Sequence, residues 1–190
     1  MGIQKFHQKA LFAAGIASAA SSVIVPGTGV SKRFDDLKSV RHVRLELSGF
    51  VIAVDEADDF GGTALCTLPD SNLVLLGAEC DLTVVKGGIT SGIVAATDIT
   101  MGIGTAVASN ATLSSTMQDV LNVTSLTTDA LSVAFDKHSN DNTSPALLFL
   151  DDAAAPQLFL NATAAITVSD TLTVSGSVDL YFIETGNVTS

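Results

Sequence analysis

From Val43 onward, apolar residues recur in short runs of period two, punctuated by Gly, Asp, Asn, Ser and Pro. Such alternation marks strands that turn one face to a core and the other to water. Val43, Leu45 and Leu47 alternate with Arg44, Glu46 and Ser48, while residues 50–54 run continuously apolar, as where both faces are covered. Further strand-like runs occupy residues 63–68, 73–78, 81–85, 93–96, 99–104, 131–135, 146–150 and 157–160. The clearest strand spans 171–184. There Leu172, Val174, Gly176, Val178, Leu180 and Phe182 share one face, and Thr171, Thr173, Ser175, Ser177 and Asp179 share the other. Abundant Thr, Val and Ile suit pleated surfaces. The best helical spacing within this region, Met117, Val120 and Leu121 in residues 113–121, predicts a helix of only about two turns.

About ten short strands with frequent turns predict an all-β fold: an antiparallel β-sandwich or jelly-roll-like body over residues 45–190. Residues 1–44 read as an extended or partly helical N-terminal arm. Pro69-Asp70-Ser71-Asn72 is expected to turn a hairpin between 63–68 and 73–78. That register sets Cys66 opposite about Leu75 and leaves Cys80 too far off for a disulfide, so both cysteines read as free buried thiols. With no His nearby they make no zinc site. Leu148-Phe149-Leu150-Asp151 and Leu158-Phe159-Leu160-Asn161 look like a repeat that fits one hairpin better than a solenoid.

Ahead of the strands, Lys5 and Lys9 precede an uncharged stretch, residues 10–25, rich in Ala, Ser and Gly. It is too short and too weakly apolar for a membrane span. Ala17-Ser18-Ala19 resembles a signal-peptidase site, which makes a secretory signal the competing reading. The expectation preferred here is an arm, helical at most over 10–22 and broken at Pro26-Gly27-Thr28-Gly29. An arm poor in core-forming residues becomes ordered by lying on another surface, commonly a neighbouring subunit. Its expected contacts are Lys5, Lys9, Leu11, Phe12, Ile16, Val23, Ile24, Lys32, Arg33 and Arg41.

Charge sharpens this division. The 190-residue chain carries a net charge of −11. Residues 1–44 hold seven basic groups against Asp35 and Asp36, a net +5, whereas 45–190 hold Lys86 and Lys137 against eighteen acids, a net −16. Such a body repels a phosphate backbone, which argues against nucleic-acid binding through it. The basic segment suits an acidic protein surface. Aromatics are 5% of residues, with no Trp and Tyr181 alone, so stacking platforms for sugars or single strands are scarce.

Catalytic groupings do not emerge. His7, His42 and His138 are dispersed, and no nucleophile elbow is present. Gly27-Thr28-Gly29-Val30-Ser31-Lys32 echoes a phosphate loop but lacks its Gly-Lys-Ser/Thr ending, and reads as a hinge. Met101-Gly102-Ile103-Gly104 lacks the third glycine of a dinucleotide fingerprint. Asp55, Glu56, Asp58 and Asp59 fit no EF-hand spacing and read as a solvated turn. Asn110, Asn122, Asn142, Asn161 and Asn187 begin N-x-Ser/Thr sequons, read here as unglycosylated. Neither an enzyme, a cofactor nor a metal site is expected.

A set of these segments resembles a known family. Phe60-Gly61-Gly62-Thr63-Ala64-Leu65 leads through Leu68-Pro69-Asp70 to Leu73-Val74-Leu75-Leu76-Gly77-Ala78. Asp81-Leu82-Thr83-Val84, the stretch 98–114 and the closing strand 172–182 follow. Together, over about residues 45–185, they resemble the small head-associated structural proteins of tailed bacteriophages, especially marine ones, encoded near the major capsid protein. The resemblance implies a capsid decoration, or cement, protein: a β-sandwich on the outer surface of an icosahedral shell, often a homotrimer, bound to the major capsid protein. Fold alone does not carry function, so the inference stands as analogy. Other virion roles (major shell, tail or portal-adjacent) and a secreted β-sandwich adhesion module are the alternatives.

Overall fold

The computed structural model describes residues 24–36, 40–70, 72–88, 90–138, 148–150 and 156–184. They form two antiparallel sheets packed face to face. The first sheet runs β1 (Val25–Pro26), β4 (Phe60–Thr67), β10 (Gln157–Ala164), β6 (Ile99–Gly104), β7 (Leu121–Leu126). The second runs β2 (Val30–Asp36), β3 (Arg41–Val54), β11 (Asp170–Glu184), β5 (Leu73–Val85), β8 (Ser132–His138), with β9 (Leu148–Leu150) against the start of β5. The all-β sandwich expected from the alternation is the fold observed.

The pairing is more specific than a sandwich. Take β3, β4, β5, β6, β7, β8, β10 and β11 as eight successive strands. The first pairs with the eighth, the second with the seventh, the third with the sixth and the fourth with the fifth. That nesting is a long hairpin wound around a common core, the jelly roll. Alternation along each strand supplies the core: Leu45, Phe50, Ile52 and Leu172 from one sheet meet Leu65, Ile103 and Leu160 from the other, all essentially inaccessible to water.

Winding changes several local expectations. Residues 63–68 and 73–78 do not form a hairpin, because β4 and β5 lie in different sheets. Leu68 and Leu73 are both buried, so the link between them passes over the end of the core, and the Leu68 N–H donates to the Pro156 carbonyl. Nor do 148–150 and 157–160 pair: β9 joins β5 and β10 lies between β4 and β6. Cys66 and Cys80 are free and buried as expected, but in opposite sheets. Burial pushes the Cys66 thiol up to about 12.

Residues 113–121 hold one 3-10 turn, Ser115–Met117, and then enter β7, where Leu121 pairs with Ile103. Two turns of helix are marginal without tertiary support, and here the Met117 carbonyl is taken by the Asn161 side chain of β10 and the Thr116 carbonyl by the Ala106 N–H. Residues 93–96 turn rather than extend, with Val94 and Thr97 bonded to each other in both directions. Sheet structure also begins earlier than residue 45. β1 pairs with β4 and β2 with β3, so residues 25–36, assigned above to the arm, edge both sheets of the body.

Candidate functional site

Four groups of polar side chains stand out in the body. Asn161 interrupts the apolar run of β10 and is fully buried. Its Nδ2 donates to the Ala106 and Met117 carbonyls at 2.9 and 2.8 Å, and its Oδ1 accepts from the Ala108 N–H at 2.9 Å. One amide thereby holds the loop between β6 and β7 on the sheet. Its burial also removes Asn161 as a glycan acceptor.

Lys86, just past β5, is 2% exposed. Its ammonium donates to the carbonyls of Ala95 and Thr97, each at 2.7 Å, and of Thr128 at 3.2 Å. Three carbonyl dipoles converge on it much as they would on a bound cation, while desolvation lowers its pKa. The β5–β6 and β7–β8 loops are thus tied to each other.

The acidic cluster after β3 is a tight turn engaged with backbone. Asp55 Oδ1 accepts from the Ala57 N–H at 2.8 Å, and Asp59 Oδ1 accepts from the Ile166 N–H at 3.0 Å. Asp59 sits at φ 62°, a left-handed conformation its short polar side chain tolerates. Among the described residues, no group of three His, Cys, Asp or Glu is placed to hold a metal ion.

The fourth group lies on the outer face of the β2–β8 sheet. His42 on β3 is opposite Tyr181 on β11, and their rings stack at 4.4 Å. One register step along, Arg44 faces Asp179 and grips it through Nε and a terminal nitrogen, at 2.6 Å for the shortest contact. His42 Nε2 lies 2.8 Å from Asp179 Oδ1, and the Tyr181 hydroxyl donates to Glu79 at 2.9 Å. Alternation places Asp179 on the solvent side, yet these neighbours leave it 3% exposed. Burial raises its pKa, but the bonds and charges of Arg44 and His42 outweigh burial and hold the carboxyl below the usual range.

A pH dependence follows, with a definite sign. The stability Asp179 confers is complete above its unfolded pKa, about 3.9. It is lost as pH falls through the lower folded value. Urea unfolding of the Asp179→Asn chain should therefore show a smaller loss of stability between about pH 5 and pH 2.5 than the wild type. Equal losses would remove Asp179 from the acid response.

Beyond this cluster the outer face divides in two. Its charged half carries Glu46, Glu79 and Asp81 beside Arg44. Its other half is small and neutral, with Val51, Thr173 and Val85 in one cross-strand row, the two valines 47% and 42% exposed.

Of the expected arm contacts, Lys5, Lys9, Leu11, Phe12, Ile16 and Val23 lie outside the described residues. Ile24 is buried in the core of its own chain. Arg41 is 3% exposed, paired with Glu184 and set over the Phe182 ring, so it is engaged within the sandwich rather than offered to a partner. Lys32 is half-buried on β2, and Arg33 belongs to the same strand. The sequence pattern does not reveal the bracing roles of Lys86, Asn161 and Asp179. A lone lysine in a strongly acidic body, and an asparagine inside an apolar run, were the available signals.

No protein-family model, curated protein or solved structure matches this chain.

Proposed function

We propose that the chain is a structural virion protein that decorates and stabilises the icosahedral capsid of a tailed bacteriophage. In this reading it sits on the outer surface, bound to the major capsid protein and to sister copies, as the homotrimer implied by the resemblance above. One observation carries the reading most. The buried polar side chains of the body bond to its own loops, making a braced block, and a basic segment leads into that block at an edge strand. A braced β body contributes rigidity, and repetition around a shell converts modest affinity per contact into large particle stability. The jelly roll recurs among shell proteins, lectins and cupins, so it agrees with the proposal without selecting it.

The test is the number of copies per major capsid protein in density-purified particles, measured by quantitative mass spectrometry. A ratio near one to one is expected. A trace ratio would move the protein to a tail or portal-adjacent site, and absence would favour the secreted adhesion module. Deletion of residues 2–22 leaves Ile24 and β1 in place, so the truncated chain should stay folded while its occupancy on shells falls. Unchanged occupancy would refute the arm as an anchor.

A further inference from the structure

The strands β1, β7, β2 and β8 end the two sheets, and three of these edges are blunted. β1 is two residues long and contains Pro26. β2 carries an extra residue where its register against β3 shifts, between Lys32 and Phe34. β7 carries extra length where its register against β6 shifts, between Leu121 and Thr124. Short strands, proline and bulges each keep further strands from adding to a free edge. β8 has none of these. Its seven residues, without Gly or Pro, pair unbroken with β5, and among the described residues nothing pairs with its other side. On that flank a cleft of about 450 Å³ opens beside Ser132, Val133 and Ala134, so the edge is accessible there.

The backbone of β8 is in phase for a further strand. The Lys86 N–H donates to the Leu131 carbonyl, one step beyond the Val85–Ser132 pair. Hydrogen-bonded and non-bonded pairs alternate in an antiparallel ladder, so Leu131, Val133 and Phe135 turn their N–H and C=O groups to β5. Ser132, Ala134 and Asp136 turn theirs to the open edge, and these three residues are exposed.

A second copy of β8 fits this edge. An antiparallel pair related by a two-fold axis normal to the sheet keeps outer face beside outer face and buried residues beside buried ones. Charge sets the register. An axis at Asp136 places two carboxylates directly opposite each other, and an axis at Phe135 places them on the diagonal. An axis at Ala134 instead sets each Asp136 against the partner's Ser132. The two carboxylates are then about 14 Å apart along the strands, a distance at which salt screens them. Val133 faces the partner's Phe135, and the apolar inner layer continues across the joint.

We propose that two copies of the chain join through β8, centred on Ala134, so that their β2–β8 sheets become one. The contact is closed and links two copies, so it does not build the homotrimer of the decoration reading but connects a copy in one trimer to a copy in the next. Its test needs no capsid, so its failure leaves that reading standing.

Cysteine variants of the full-length chain, in which Cys66 and Cys80 are buried, read the register. Ala134→Cys should form a disulfide-linked dimer on mild oxidation, since opposed Cα atoms about 5.5 Å apart suit that bond. A mixture of Ser132→Cys and Asp136→Cys chains should link one of each, while Asp136→Cys alone should not link. No link through Ala134→Cys, or equal linking by Asp136→Cys alone, overturns the proposal. Separately, Ala134→Pro removes an N–H that β5 does not use, and Ala134→Glu sets like charges opposite each other while leaving the backbone intact. Both should weaken dimerisation roughly thirty-fold or more, read by sedimentation velocity across a dilution series. Unchanged association in either variant, or a wild-type chain that does not self-associate, would also overturn it.

Discussion

The Asn161→Ala chain is expected to be less stable than the wild type by about 4 kcal/mol. Truncation strands the buried Met117 carbonyl and Ala108 N–H, together with the partly buried Ala106 carbonyl. Each stranded group costs about 1–3 kcal/mol, and the space left beside Gly62 is too small to relax freely. For a chain of this size the melting temperature should fall by roughly 12 °C. Asn161→Asp should also destabilise, since it turns a carboxylate oxygen toward two carbonyls. Asn122→Ala is the control. Its side chain is only partly buried and contacts its neighbour's N–H, so a loss below about 1 kcal/mol is expected in urea unfolding. Similar losses for Asn161 and Asn122 would contradict the role given to Asn161.

Gly176→Ala is expected to cost a comparable amount, about 4 kcal/mol, from a different cause. Gly176 lies in β11, the strand that pairs with both β3 and β5. Its φ is +132°, a region open to glycine and strained for any other residue. An added Cβ would lie 2.2 Å from the Asp81 carbonyl oxygen and 2.9 Å from the Leu82 Cα. Both are backbone atoms of the neighbouring strand, so relief requires parting the two strands. Ser175→Ala, one residue away, removes an exposed bond to the Gly49 N–H and should cost less than about 1 kcal/mol. Denaturant midpoints of the two variants compare them directly. If Gly176→Ala is as mild as Ser175→Ala, the backbone here relaxes more readily than its pairing implies.

Sequence periodicity by itself determined the class of fold and much of the core. In 171–184 the alternation named Leu172, Val174, Val178, Leu180 and Phe182 as the inner face, and all five are buried. Gly176 is the exception: it pairs with the buried Leu47 and Leu82 yet is itself exposed, and it serves the backbone, at φ +132°, beside a register shift whose extra residue lies in β3, where Ser48 and Gly49 oppose Ser175. Alternation also set Asp179 in water. What buries it is the neighbouring strand, which aligns His42 and Arg44 over it, and strand partners are invisible in a local pattern.

Tertiary structure alone decided which strands meet. The turn at 69–72 and the near-repeat at 148 and 158 look local, yet each strand there finds its partner in a distant part of the chain. The physical reason is that one apolar face per strand demands a second sheet, and a wound hairpin supplies it by pairing first strand with last. Lys86 and Asn161 follow the same logic. Their partners are loop carbonyls brought together only after the sheets have closed, so composition could mark both residues as unusual but could not say what they hold.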